Sequence, residues 1–501
     1  MKRVSDVITK EVIETWNNGD VITFKAGTGA GKSFAIKNVL YDYAKANGKK
    51  ILMLIHRKNC VNQFQDEITR DGKLDIIHIK TYQSLESLKH NHKKDFDFSD
   101  YQFIVSDEFH YFLGDAGYNK LTDISLNMIL SEENTIRIFM SATGDYMKHY
   151  INNIKKIKTI DYELPITYDF IQDLTFFNKD ETMEMFIEGA IDKGEKAIFF
   201  IQSATKAYEL HLKYKEYTMF NCGKSDKHYK YVDGEKVGKM LDKERFEEQI
   251  LITTTCMDAG VNIIDEDVKH IICDVKSTNI IIQCIGRKRI QNKNDKINLY
   301  IKSMNNHQLG GMKTQLKNKL RMADFLTSHT VKEYIREYPR EGDSGNMVYA
   351  DIVDSDTECT MKVNQLMYFK CNLDIIDIEI MKTYGNYGYC KYLANKFGFY
   401  DEENNRYTYR TIEENYEKDL LNKYLKSIIG LKLFKDERKE LIDNINLRDN
   451  RNRIQKSIEL LNAYFNENKM NYIIVHKMSS KMEDGKKKNY RYWEVIDNII
   501  K

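Results

Sequence analysis

Proline is scarce in this chain, with only Pro165 and Pro339 among 501 residues. Both lie where the pattern of the sequence changes, so they mark candidate domain boundaries. The chain also lacks any run of about 18 apolar residues, the length that a membrane-spanning helix needs, so we expect no membrane span. Residues 1–6 are followed by acidic and polar residues, which argues against a secretory signal.

Paired cysteines and a strong net charge are missing as well. The 8 cysteines show no Cys-x-x-Cys spacing, so a zinc site is not expected and a reducing cytoplasm is the expected location. Lys and Arg total 77 against 75 Asp and Glu, a net charge of +2, so any nucleic-acid-binding surface must be local. Hydrophobic content of 42% and charged content of 30% describe a globular protein of several domains.

Short β-branched runs alternate with helical stretches over residues 21–141 and again after Pro165. Buried strands separated by helices are typical of a parallel sheet covered on both faces. The predicted strands are residues 21–24, 51–55, 76–79, 103–105 and 136–140, then 197–201, 218–222, 250–253, 270–273 and 297–301. The sequence therefore predicts an α/β fold with two parallel-sheet lobes, joined near residues 161–180.

The last third of the chain has a different character. Residues 306–470 are rich in Lys, Glu, Asn and Tyr with helical periodicity, and strand-like runs follow at 472–475 and 490–495. We expect a mainly helical accessory domain that ends in a β-hairpin. The predicted domains are residues 1–160, 161–305 and 306–501.

A glycine-rich loop lies between the first predicted strand and an amphipathic helix. Its residues are Ala26, Gly27, Thr28, Gly29, Ala30, Gly31, Lys32 and Ser33. A strand, a glycine loop and a helix in this order form a phosphate-binding loop, whose backbone N–H groups and helix N-terminus attract phosphate. Lys32 is expected to reach the β- and γ-phosphates and Ser33 to bind Mg²⁺. The alternative is a glycine-rich turn without a ligand.

Two adjacent carboxylates follow the strand at residues 103–105. Asp107 is expected to hold Mg²⁺ and Glu108 to orient or deprotonate the attacking water, as carboxylates at a strand end do in phosphate-loop ATPases. A solvated acidic loop is the alternative, and the presence of Lys32 favours the catalytic interpretation.

These motifs together resemble those of the superfamily-two DEAD/DEAH-box helicases. Asp107-Glu108-Phe109-His110 is similar to the family's Asp-Glu-x-His box, and the alanine that leads the phosphate loop is the family's own form. Ser141-Ala142-Thr143 resembles the third motif, and residues 253–262 resemble the fifth, which implies nucleotide contacts for Asp258 and Gly260. The resemblance implies two RecA-like lobes with ATP and Mg²⁺ in the cleft between them.

Residues 283–289 resemble the sixth motif, the family's source of arginine fingers. The resemblance implies that Gln283 touches the nucleotide and that Arg287 and Arg289 stabilise the charge on the γ-phosphate. The usual spacing places the last arginine at position 290, which is Ile290 here, so Arg289 takes its place. For Lys288 and Arg289 the alternative is a solvated basic turn.

The motifs expected to hold the nucleic-acid strand are shorter. Resemblance to motifs Ia, Ib, IV and V implies contacts to sugar and phosphate. The residues concerned are Arg57, Thr81, Gln83, Ser203 and Thr254. Helix capping is the alternative for each of them. No glutamine precedes the phosphate loop, since the first is Gln63, so an adenine-reading glutamine is missing and ATP remains the expected nucleotide.

The resemblance covers about residues 20–305 and, in detail, looks closest to helicases of phages and other bacterial mobile elements. It implies ATP-driven translocation along nucleic acid and its unwinding, with single- or double-stranded DNA favoured and RNA possible. The alternative is a nucleic-acid-gated ATPase that recruits a protein partner through residues 306–501 without unwinding.

The predicted C-terminal hairpin combines basic and aromatic residues around a turn at 483–485. They are Lys481, Lys486, Lys487, Lys488, Arg491, Tyr490, Tyr492 and Trp493. Such a surface can bind phosphate and stack on bases, as a wing or a strand-separating pin does. The alternative is a lysine-rich turn whose aromatic residues face a small core.

Overall fold

The computed structural model describes residues 3–56, 58–92, 95–257, 261–339, 346–352, 359–448, 453–468, 470–483 and 486–497. They form two compact units, Met1–Arg410 and Thr411–Lys501. Searching these residues for a helix with the length and hydropathy of a membrane span finds none.

The first lobe is built on a six-stranded parallel sheet. Its strands are β1 (Val21–Lys25), β2 (Ile51–Ile55), β3 (Ile77–Thr81), β4 (Phe103–Asp107), β5 (Ile136–Ser141) and β6 (Thr159–Glu163). The order is β3-β2-β4-β5-β1-β6, with every neighbouring pair parallel. The predicted strands are present, and the unpredicted β6 extends the sheet a little beyond residue 160.

Helices cover this sheet, which explains why β2 and β5 are buried along their whole length. They are α1 (Lys10–Glu14), α2 (Lys32–Ala35), α3 (Tyr41–Ala46), α4 (Lys58–Arg70), α5 (Tyr82–His92), α6 (Tyr111–Gly114), α7 (Thr122–Leu130) and α8 (Asp145–His149). A π-helical turn, Ile36–Leu40, joins α2 to α3.

The second lobe repeats the same plan. Its strands are β7 (Ile171–Phe177), β8 (Lys196–Ile201), β9 (Thr218–Asn221), β10 (Ile250–Thr253), β11 (Val268–Asp274) and β12 (Ile297–Lys302). They lie in the order β7-β12-β11-β8-β10-β9, all parallel. The helices are α9 (Glu181–Lys193), α10 (Ala204–Lys213), α11 (Gly234–Lys243) and α12 (Thr278–Ile285). The predicted α/β class with two RecA-like lobes is confirmed.

A helical region packs on both lobes. Its elements are α13 (Asn306–Ser328), α14 (Val331–Glu337), β13 (Val348–Ile352), β14 (Cys359–Val363), α15 (Gln365–Thr383), α16 (Gly388–Phe397), β15 (Tyr400–Asp401) and β16 (Arg406–Tyr407). On α15, Leu366 and Cys371 join the core of the first lobe, whereas Ile378 and Met381 join that of the second. The predicted accessory domain, residues 306–501, is therefore divided, because its first part belongs to the unit of the lobes.

The second unit has its own core. The short strand β17 (Arg410–Thr411) lies at the division, and α17 (Ile412–Ile428), α18 (Lys435–Ile445), α19 (Ile458–Glu467), β18 (Tyr472–Glu483) and β19 (Lys486–Asp497) follow. The antiparallel pair β18–β19 is the predicted terminal hairpin. Tyr492 is buried and Trp493 packs on this core, whereas Lys487 and Arg491 are exposed, so the aromatic side chains are used for packing.

Candidate active site

The loop between β1 and α2 carries the predicted phosphate-binding residues. Its backbone turns at Gly29 and Gly31, whose φ angles of +82° and +86° favour glycine. Lys32 is 7% exposed, and its Nζ donates to the carbonyl oxygens of Ala26 (3.0 Å) and Gly27 (3.3 Å). The loop thus wraps around its own lysine, and phosphate oxygens can take the place of these carbonyl groups.

A cavity of about 350 Å³ lies between this loop and the second lobe. It brings together most of the residues that the sequence assigned to catalysis and to phosphate or metal binding. Those lining it are Thr28, Gly29, Gly31, Lys32, Ser33, Asp107, Glu108, Arg287 and Arg289. Residues far apart in the chain, and on both lobes, therefore face one space.

The acidic pair lies at the carboxyl end of β4. Oδ1 of Asp107 is buried without a hydrogen-bond partner among the described residues. Glu108 has φ +48°, a left-handed value that is uncommon for a residue with a side chain and is held by its surroundings. Oε2 of Glu108 accepts from Oγ of Ser141 (3.4 Å) and lies 3.2 Å from Nδ1 of His110. His110 and, at a longer distance, Ser141 of the third motif thus contact the carboxylate of Glu108.

The two carboxyl groups have opposite electrostatic environments. Burial and the neighbouring Glu108 raise the pKa of Asp107 to about 7. Burial also opposes the ionisation of Glu108, but Lys32 and His110 outweigh it and hold the pKa of Glu108 below its ordinary value. Glu108 is therefore ionised at neutral pH, as a residue that accepts a proton from water must be.

Asp107 and Ser33 fit a bound Mg²⁺ ion. The described residues contain no group of three or more His, Cys, Asp or Glu side chains that could hold a metal alone. Mg²⁺ usually takes one or two carboxylates together with substrate phosphates and water. A buried carboxylate oxygen without a partner, beside a phosphate loop, supplies the protein's part of that set.

The second lobe contributes two arginines to the cavity. Arg287 is held by the backbone oxygen of Gln283 (3.0 Å) and by its side-chain Oε1 (3.2 Å). Nε and Nη2 of Arg289 both donate to Oδ1 of Asn262, at 2.8 and 2.5 Å, while its Nη1 is buried without a described partner. Burial and the nearby Arg287 lower the pKa of Arg289 to about 10. An anion at this position would relieve both effects.

Lys288, between these arginines, points the other way. It is buried and paired with Asp295 through Nζ–O distances of 2.6 and 2.7 Å. Both side chains are 0% exposed. The solvated basic turn considered for both residues is thus wrong for Lys288, which forms a core ion pair, whereas Arg289 is half-buried and lines the cavity.

Two contacts join the lobes beside the cavity. Nε2 of Gln283 donates to Oγ1 of Thr143 in the third motif, at 2.9 Å. Gly286 approaches the phosphate loop so closely that a Cβ added there would lie 2.3 Å from Oγ1 of Thr28. Gln283, expected to touch the nucleotide, is instead 3% exposed and links Thr143 to Arg287. The cleft is therefore closed in this structure.

Several residues that line the cavity were not predicted from the sequence. Asn262 lies within the fifth motif, but its contact with Arg289 required the fold. Gln63 was noted only as the first glutamine, yet it lines the cavity together with Cys60 and Phe64 from α4. Their helical spacing offers no signal, since any amphipathic helix shows it.

The residues expected to bind nucleic acid lie at the carboxyl ends of strands. Thr81 ends β3, Ser203 follows β8 and Thr254 follows β10. Thr81 and Ser203 each accept from a backbone N–H three residues on, as helix caps do, and Thr254 accepts from the N–H of Cys256. Oε1 of Gln83 is buried without a described partner. The capping alternative thus holds locally for Thr81 and Ser203, while their contact with nucleic acid stays a prediction.

Three predicted residues lie outside the described parts of the chain. They are Arg57 of motif Ia, together with Asp258 and Gly260 of motif V. Their roles remain predictions.

Comparison with known families identifies the first lobe. Residues 6–149 match the model of the DEAD/DEAH box helicase family. The first lobe is thus similar to the DEAD/DEAH box helicase family. The enzyme is accordingly an ATP hydrolase of the nucleic-acid-dependent helicase class. No curated protein matches the chain in sequence.

Solved helicase structures are similar at a low level. S. cerevisiae Dbp5 bound to RNA and ADP BeF3 matches with a TM-score of 0.43 and 17% identity over 56% of this chain and 78% of that one. Mss116p bound to ssRNA and AMP-PNP matches with a TM-score of 0.43 and 16% identity over 65% of this chain and 80% of that one. A DEAD box protein from Methanococcus jannaschii matches with a TM-score of 0.33 and 18% identity over 61% of this chain and 86% of that one. Likeness at this level adds no argument to the family match.

Proposed function

We propose that this protein is an ATP-driven translocase that moves along DNA and unwinds it, in replication, recombination or defence. One observation carries the proposal: Lys32 and Glu108 of the first lobe and Arg287 and Arg289 of the second line the same cavity. A site that needs residues of both lobes couples hydrolysis to lobe movement. We further propose a cytoplasmic location and, from the motif details, a place among phage-type helicases.

In the proposed reaction, water attacks the γ-phosphorus of ATP and ADP leaves. Glu108, ionised and fixed by Ser141, accepts the proton of the attacking water. Lys32 binds the β- and γ-phosphates, while Arg287 and Arg289 stabilise the charge that develops on the transferred group. Asp107 and Ser33 would hold Mg²⁺, which would supply positive charge to neutralise the phosphates.

The nucleic acid is proposed to lie along the carboxyl ends of the strands of both lobes. Thr81 and Gln83 contact it on one lobe, Ser203 and Thr254 on the other, and Arg57 is assigned there from its motif. The surrounding hydroxyl and amide groups suit contacts to sugar and phosphate, which carry no sequence information. RNA is the alternative substrate.

A strand-displacement assay tests the proposal. Partial duplexes of DNA and of RNA, matched in sequence, are incubated with enzyme, Mg²⁺ and ATP, and Glu108→Gln serves as the inactive control. We expect ATP-dependent separation of the DNA duplex that the control abolishes. Separation of RNA alone would reassign the substrate. Hydrolysis without separation of either duplex would favour the alternative of an ATPase that recruits a partner.

A further inference from the structure

Helix α5 begins at the proposed nucleic-acid edge. Thr81 and Gln83, both assigned there, flank Tyr82, the first residue of the helix. Tyr82 is 0% exposed, so its side chain points away from solvent and into the lobe. It therefore cannot touch a strand bound at the edge.

The buried side chain of Tyr82 reaches the acidic box instead. Its hydroxyl donates to the backbone oxygen of Asp107 at 2.9 Å. Its ring stacks on that of Tyr111, with centroids 5.0 Å apart and planes at 10°. One residue thus joins the edge to the segment that carries Asp107 and Glu108.

A second link starts one helical turn later. Glu86 is 2% exposed and accepts from the hydroxyl of Tyr111 at 3.1 Å. Ser125 and Asn119 each donate to the same carboxylate at 2.7 Å. Helix α5 is therefore fastened to the chain on both sides of Glu108, at Asp107 before it and at Tyr111 after it.

This double attachment coincides with backbone strain. Glu108 adopts φ +48°, and such a conformation persists where neighbouring contacts impose it. A small shift of α5 would move both attachment points and alter the direction of the Glu108 carboxylate. A shift of this kind is what a strand bound at Thr81 and Gln83 would impose.

We propose that Tyr82 is a positioning residue that transmits nucleic-acid binding at the N-terminus of α5 to Glu108, with Glu86 and Tyr111 as the second connection. This inference rests on the proposed function. The hydroxyl of Tyr82 is responsible for the increase in hydrolysis that bound nucleic acid causes. Tyr82 itself contacts neither ATP nor the nucleic-acid strand.

The test is the variant Tyr82→Phe, which keeps the stacked ring and removes the hydroxyl. The quantity measured is the stimulation ratio, kcat with saturating single-stranded nucleic acid divided by kcat without it. We expect the ratio to fall about tenfold, the factor of roughly one hydrogen bond, with the Kd for nucleic acid within about twofold of wild type. Glu86→Gln, which weakens the second link, is expected to lower the ratio in the same direction.

Tyr101→Phe is the matched control, because it removes a hydroxyl that contacts Nδ1 of His78 (2.9 Å) on β3 of the same lobe. Its ratio should stay unchanged. A wild-type ratio in Tyr82→Phe, or an equal fall in Tyr82→Phe and Tyr101→Phe, would overturn the inference. A wild-type enzyme that neither DNA nor RNA stimulates would instead refute the proposed function, and the inference with it.

Discussion

Gly286 offers a sharp test of lobe closure. In the closed cleft, a Cβ at this position would lie 2.3 Å from Oγ1 and 3.1 Å from Cβ of Thr28. Ordinary contacts begin at about 3.4 Å, so in Gly286→Ala the side chain of Thr28 can keep its position only if the lobes separate by about 1 Å. The backbone itself accepts alanine, because φ is −67° and ψ is −9°. The clash is therefore confined to the interface between lobes.

The separation moves Arg287 and Arg289 with it, since Arg287 follows Gly286 directly and Arg289 lies two residues further on. Misplacement of catalytic groups by about 1 Å costs on the order of 100-fold in rate. We expect kcat of Gly286→Ala to fall by about that factor, whereas thermal unfolding stays at or slightly above wild type. Nucleotide binding to the phosphate loop should persist, because that loop belongs to the other lobe.

Steady-state hydrolysis, unfolding and binding of a fluorescent nucleotide measure these quantities. Gly238→Ala is the matched control, because a Cβ there meets no atom within 4 Å. Thr28→Ala removes the nearest atom, so Gly286→Ala/Thr28→Ala should recover activity toward that of Thr28→Ala alone. Wild-type kcat in Gly286→Ala, or a double variant as slow as Gly286→Ala, would refute the closed interface.

Other predictions concern the basic residues and the two units. Lys288→Met leaves Asp295 buried without its partner and should lower the free energy of unfolding by about 3–5 kcal/mol in urea, whereas Arg289→Ala should remove hydrolysis with little change in unfolding. Equal destabilisation by Lys288→Met and Arg289→Ala would contradict the assignment of Lys288 to the core and of Arg289 to the cavity. In a second variant, Lys481, Lys486, Lys487 and Lys488 of the terminal hairpin are replaced with Gln. The slope of log affinity for duplex DNA against log salt concentration should become shallower by about 0.9 for each phosphate that the variant no longer neutralises. An unchanged slope would exclude the hairpin from the nucleic-acid path. Residues 411–501, with their own core, should unfold cooperatively as an isolated fragment, and a gradual transition would contradict their independence.

The α/β lobes were predictable because their strands are continuous apolar runs between helices. β2 and β5, buried along their length, carry that signal fully. β6 escaped prediction since it is an edge strand whose residues are mostly exposed or half-buried. The helical region was recognised as helical, but periodicity cannot show that α15 is shared between two cores. That sharing depends on tertiary packing, which no local pattern encodes.

The cavity residues divide in the same way. Lys32, Asp107 and Glu108 were predictable because each stands at a fixed place after a strand. Lys288 was not, because a lysine between two arginines gives no sign of a buried aspartate partner seven residues later. The contact of Asn262 with Arg289 depends on the fold of the second lobe, and that of Gly286 with Thr28 depends on how the lobes meet. Such contacts become visible only in three dimensions.

The central claim is that this chain hydrolyses ATP in response to nucleic acid, with Glu108 as the group that activates water. Its most direct test is steady-state ATP hydrolysis with and without single-stranded DNA, and with RNA of the same sequence, beside Glu108→Gln. We expect strong stimulation by nucleic acid that disappears in Glu108→Gln. Hydrolysis that is indifferent to both DNA and RNA, or that survives in Glu108→Gln, would contradict it.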